Sequence, residues 1–202
     1  MKANGIILAG GKNLRFGRIK ALETIGSKTI IQRVLDSLRP LSGEILIVTG
    51  VNEIELPGTE EAEFVTDIYP HYGPLGGIYT GLASARFPLS IVVASDMPFL
   101  NTKLLGHMLE QVENYDAVVP LLEGGMVEPL HAIYNRKCLE KMKKRLDNKQ
   151  LSTFAMVKTL QVKYIEPAEI QQFDPQMLSL FSINIPADLE KARDLESKTN
   201  LD

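Results

Sequence analysis

Leu8-Ala9-Gly10-Gly11-Lys12-Asn13-Leu14-Arg15-Phe16-Gly17-Arg18-Ile19-Lys20 sets two adjacent glycines and four cations directly after a short apolar run. That is chemistry for polyphosphate. Neither Gly10 nor Gly11 has a Cβ, so the backbone can turn tightly and bring its N–H groups close to an anion. Arg15 and Lys20 then supply full charge, with Lys12 and Arg18 expected on the solvent side. The stretch is not a Walker A loop, because Gly10 is followed by Gly11 and not by Lys and Ser/Thr, and its adjacent glycines do not fit G-x-G-x-x-G. The plainer reading of the same residues is a glycine-rich turn with basic surface side chains.

Ser95-Asp96-Met97-Pro98 follows the apolar run Ile91-Val92-Val93-Ala94. A carboxylate there emerges at a strand end, where Mg²⁺ can take one or two protein carboxylates and fill its other sites with water and phosphate oxygens; an Asp before Pro is otherwise an ordinary turn residue. Asp67 and the loop Gly73-Pro74-Leu75-Gly76-Gly77-Ile78 precede a helix expected to begin near Gly77, and form either a backbone bed for a planar base or a bland connection. Phe181-Ser182-Ile183-Asn184 reads as a strand before a helix opened by Pro186. Asn184 is placed either to hydrogen-bond a phosphate or metal-bound water or to cap that helix, while Asp188 suits helix initiation. In Glu128-Pro129-Leu130-His131-Ala132-Ile133-Tyr134 the polar residues alternate along a strand; His131 either reaches substrate or is a core histidine.

Apolar segments at Gly5 to Ala9, Glu44 to Thr49, Glu63 to Thr66, Ser90 to Ser95, Asp116 to Pro120, Leu130 to Tyr134 and Lys163 to Ile165 read as strands, several apolar on both faces. Between them lie amphipathic helices. One carries Ile30, Ile31, Val34, Leu35 and Leu38; another, capped by Asn101, carries Leu104, Leu105, Met108, Leu109 and Val112; a third starts at Ser152 and runs to about Leu160. The alternation predicts a doubly wound α/β sheet with ligands at the carboxyl ends of its strands.

The 202 residues read as one domain, large enough to bury about 70% of its unfolded surface. A net charge of −3 argues against a broad nucleic-acid-binding face, and no apolar run is long enough to span a bilayer. With no basic-then-apolar opening segment, the expected location is cytoplasmic. Cys138 is the single cysteine, so an intrachain disulfide is excluded, and His71, His107 and His131 show no zinc-motif spacing.

In sequence order, L-A-G-G-x-x-x-R-x-G-x-x-K, Asp67 leading into G-P-L-x-G, S-D-M-P, E-P-L-H-A-I-Y and N-I-P-x-D-L resemble the MobA-like family of molybdenum cofactor guanylyltransferases over most of the chain. The resemblance implies a Rossmann-like, mostly parallel sheet of the nucleotide-diphospho-sugar transferase fold, residues 1–202 forming one nucleotidyltransferase domain. It implies transfer of GMP from GTP to the phosphate of molybdopterin cofactor with release of pyrophosphate. By the same resemblance Leu8, Ala9, Gly10, Gly11, Lys20, Asp67, Gly73, Pro74, Leu75 and Asp96 meet the nucleotide, Arg15, Lys20 and Asp96 are catalytic, and Asp96 holds Mg²⁺. Asn184, Ser182 and His131 fall on the acceptor side. Implied partners are GTP and molybdopterin cofactor, with other cofactor-biosynthesis proteins or molybdoenzyme chaperones as protein partners, and neither nucleic acid nor membrane. Phe16, Ile19, Ser182 and Ile185 depart from the family pattern. The alternatives are a relative using CTP or a sugar-phosphate acceptor, and a non-catalytic GTP-binding adaptor.

Overall fold

The structure is a computed structural model that describes residues 2–10, 20–50 and 56–199. In chain order its elements are β1 (Ala3–Leu8), β2 (Thr24–Ile25), β3 (Lys28–Thr29), α1 (Ile30–Leu38), β4 (Ser42–Thr49), β5 (Glu63–Thr66), α2 (Gly73–Ser84), β6 (Leu89–Ala94), α3 (Thr102–Glu110), β7 (Ala117–Pro120), β8 (His131–Asn135), α4 (Leu139–Asp147), α5 (Thr153–Val157), β9 (Val162–Ile165), α6 (Pro167–Ile170) and α7 (Pro186–Thr199). Seven strands form one sheet in the order β5-β4-β1-β6-β8-β7-β9, and β2 and β3 make a separate hairpin. The pairs β5–β4, β4–β1, β1–β6 and β7–β9 are parallel, whereas β8 runs antiparallel to both its neighbours.

Why the apolar runs become central strands follows from where their side chains go. Along β1, Ile7 points into a core built with Ile31, Val34 and Leu35 of α1 and Leu104, Leu105 and Met108 of α3. Ile6 and Leu8 point the other way, into a core with Leu75, Ile78 and Leu82 of α2, Met142 and Leu146 of α4, and Met156 of α5. Each such buried side chain contributes roughly 1.5–3 kcal/mol. Helices thus cover both faces. A satellite cluster of Ile25, Ile30, Ile183, Leu189 and Ala192 seats α7 on the hairpin.

Local signals set the helix starts. Thr29 and Gln32 form a reciprocal capping box at α1, and Asn101 Oδ1 accepts the N–H groups of Lys103 and Leu104 at 3.0 Å each. Ser152 caps α5, which stops at Val157, short of the expected Leu160; Thr159 and Leu160 continue only as tight turns onto Met156 and Val157. α2 begins at Gly73, not near Gly77. Gly73 turns in at φ +66° and Pro74 then opens the helix, so the expected glycine loop is its first turns. Residues 181–184 form no strand; Ile183 instead bonds through its backbone to the turn after β6.

After β1 the chain steps outward through β4 to β5, then crosses back to place β6 on the other side of β1. The carboxyl ends of β1 and β6 therefore form the switch point where open α/β sheets bind ligands. It is stitched by the Ala9 N–H to Val48 O at 2.9 Å and the Ser95 N–H to Leu8 O at 3.1 Å. Among the described residues, no helix is long and apolar enough to cross a membrane.

Candidate active site

Three segments far apart in sequence meet at this switch point. Lys20 opens a short helical turn, is buried despite its charge, and donates from Nζ to Ile183 O at 3.1 Å across 163 positions. The Ile183 N–H in turn donates to the backbone oxygen of Asp96 at 2.9 Å. One residue of the carboxyl-terminal segment thus bridges the Lys20 turn and the turn after β6. Burial pushes the Asp96 carboxyl above the usual carboxylate range, while the Lys20 charge opposes that rise. Among the described residues no side chain donates a hydrogen bond to the Asp96 carboxylate.

On the nucleotide side, Leu8 lies buried against Gly77, Ala9 is buried, and Gly10 is exposed at the strand end. Gly11 and Arg15, like Lys12, Phe16, Arg18 and Ile19, lie outside the described residues. Asp67 Oδ1 accepts the Tyr69 N–H at 2.9 Å and the Thr80 hydroxyl at 2.7 Å, and a Cβ on Gly76 would sit 3.3 Å from its Oδ2. Asp67 therefore ties the end of β5 to α2, whose exposed first residues, Gly73 and Pro74, face outward at the same sheet edge. Leu75 is fully buried in the core.

On the other side, Asn184 is exposed and its amide donates to Ser182 Oγ at 2.9 Å. The carboxylate at the start of α7 is that of Asp188, whose Oδ2 accepts the N–H groups of Asn184 at 2.8 Å and Ile185 at 2.9 Å. These contacts hold the Asp188 carboxyl below the usual range. The expectation that His131 reaches the acceptor is corrected. It lies opposite Val93 in the sheet with none of its surface exposed, and burial lowers its pKa to about 4.

The family model described as the MobA-like NTP transferase domain matches residues 5–161. This chain belongs to the MobA-like NTP transferase family. A "probable molybdenum cofactor guanylyltransferase" of Pelotomaculum thermopropionicum is 34% identical over 193 residues, covering 96% of this chain and 93% of that protein. The molybdenum cofactor guanylyltransferase of Desulfosudis oleivorans is 35% identical over 190 residues, 93% of each chain. The crystal structure of molybdopterin-guanine dinucleotide biosynthesis protein A from Archaeoglobus fulgidus superposes with a TM-score of 0.81 at 27% identity, covering 96% of this chain and 99% of that one. The sheet described above is accordingly the nucleotide-diphospho-sugar transferase fold, and the MobA-like chain is a nucleotidyltransferase.

A further carboxylate lies where the end of β6 meets the start of β8. Glu128 sits half-buried at the same edge, its Oε1 accepting the Leu130 N–H at 3.0 Å. Burial raises its carboxyl above the usual range and the Asp96 charge adds to the rise. The motif containing it was visible, but only the pairing of β8 with β6 tells which strand end it shares. The carboxylate chemistry suits Mg²⁺: Asp96 is a hard oxygen donor that accepts from no side chain among the described residues, at the strand-end edge of the sheet.

Proposed function

We propose that this protein transfers GMP from GTP to the terminal phosphate of molybdopterin cofactor, releasing pyrophosphate and forming the guanine dinucleotide. Support comes from the guanylyltransferase names of the relatives together with one geometric observation, the convergence of Lys20, Asp96 and the carboxyl-terminal segment on Ile183.

The acceptor phosphate attacks the α-phosphorus of GTP in line, a new P–O bond forms, and the bond to the bridging oxygen of pyrophosphate breaks. A phosphate nucleophile is already ionised near neutral pH, so no general base is required. Catalysis then rests on positioning and charge neutralisation. Lys20, with Arg15 and the amides of the Gly10-Gly11 loop, meets the triphosphate and stabilises charge growing on the leaving group. Asp96 would hold Mg²⁺, which when bound supplies Lewis-acid polarisation of phosphate oxygens. Leu8 and Ala9 main chain, Asp67, and the start of α2 at Gly73, Pro74 and Leu75 border the nucleoside; Asn184 and Ser182 border the acceptor. Residues 1–202 act as one domain.

Pyrophosphate release from GTP, CTP and ATP, each with Mg²⁺ and molybdopterin or a sugar phosphate, tests the reading. Release with GTP and molybdopterin is expected. GTP binding without any release would make the protein an adaptor, and equal turnover with CTP would remove the guanine assignment.

A further inference from the structure

We propose that the cavity between α1, the β2–β3 hairpin and α7 binds a small organic monocation, an ammonium or amidinium on a compact apolar body, through the carboxylate of Asp174. None of the residues assigned to the transfer reaction lines it.

α1, the hairpin, α7 and the chain just past the Asp96 turn border a cavity of about 460 Å³, a volume within the range of small-molecule sites. Pro98, Phe99, Leu178 and Leu195 give it an apolar wall, and its charged residues are Lys28, Arg33, Asp36, Asp174 and Glu196. Four of those charges cancel in pairs. Lys28 Nζ lies 2.6 Å from Asp36 Oδ2, and the Arg33 guanidinium, 6.0 Å from the centre of the Phe99 ring, is paired with Glu196.

Asp174 is left over. Only 8% exposed, it accepts the Ser179 N–H and the Ser179 hydroxyl at 2.7 Å each, both on Oδ2. Its Oδ1 accepts from no described group, yet that atom is not sealed inside the protein, and the space that Asp174 borders is this cavity. A carboxylate so deeply buried, with one oxygen edge unfilled, is costly, and a positively charged N–H donor offsets that cost best. An anion would meet like charge there. The apolar wall gives nothing to a hydrated metal ion, whereas it suits the carbon body of an organic cation whose head reaches Oδ1.

Benzamidinium, a flat monocation of this class, is the probe, with neutral benzamide and anionic benzoate as controls of matched shape. In the isotope-labelled full chain, benzamidinium should move the amide resonances of Arg33, Leu178 and Ser179 saturably, and the two controls should leave them in place. Asp174→Asn, which retains an oxygen for Ser179 and loses the charge, should weaken the probe about tenfold or more. Leu178→Trp fills the cavity with Asp174 intact and should block the probe as well; it decides the matter if Asp174→Asn fails to fold. Binding unchanged in either folded variant, or equal shifts with benzamide, would overturn the proposal. So would an absence of saturable shifts, or shifts centred on Asp96, which would place the cation at the catalytic edge.

Discussion

At the residue scale, Lys20 and Asp96 are coupled through charge and through Ile183. Lys20→Met, which keeps the buried stem, should lower pyrophosphate release on the order of 10²-fold, as for removal of one preorganised charge from a developing anion. It should also move the acidic limb of the pH–rate profile. Burial already holds the Asp96 carboxyl high and Lys20 pulls it down, so without Lys20 the carboxylate ionises at higher pH and the limb shifts upward; a rate profile across the acid range reads this directly. His131 makes a separate prediction about stability. Its folded pKa of about 4 lies below the ordinary 6.5, so between those values the unfolded chain takes up a proton that the folded chain refuses. Stability should therefore fall as pH drops from 6.5 to about 4, by on the order of 3 kcal/mol. His131→Leu should flatten that fall in urea midpoints measured across the range. An unchanged slope in the variant would assign the acid sensitivity elsewhere.

At the element scale, α2 shows how packing overrules a local signal. A Cβ on Gly81 would stand 2.5 Å from Ile6 Cγ2 and 3.3 Å from Val48 Cγ2, and one on Gly77 3.3 Å from Leu8 Cδ2. These glycines let the helix lie close on β1 and β4. Gly81→Ala should destabilise the protein by about 1–3 kcal/mol, the usual range for overpacking, in thermal or urea unfolding; an unaltered midpoint would mean that β1 yields easily. Read along the chain, Gly73-Pro74-Leu75-Gly76-Gly77 carries the letters of a loop, because what makes it helical is a neighbour's surface. The strands were legible for the opposite reason. Runs such as Ile91-Val92-Val93 are buried on both faces, and that requirement is written in the residues themselves. Residues 181–184 have the same letters as a strand but no ladder to join, since the sheet ends at β9 and Ile183 is spent on Lys20 and Asp96.

At the scale of the whole molecule, the glycine loop and the Asp96 turn were readable as separate motifs, and their place at strand ends followed from alternation of elements. Their convergence on Ile183 was not, because a bond across 163 positions leaves no local trace. The carboxyl-terminal segment is accordingly the strut whose removal tests the design. It lies beyond the matched residues 5–161 and packs as a satellite through Ile183, Leu189 and Ala192, while the two main cores close without it. A chain ending at Leu180 should keep the circular dichroism of the sheet and its flanking helices at a lowered melting temperature. Pyrophosphate release should nonetheless drop on the order of 10²-fold, because Lys20 and the Asp96 turn lose the backbone that spaces them, and misplacement by about 1 Å is enough for such a loss. A folded truncated chain with undiminished turnover would show that the bridge through Ile183 does not position the pair.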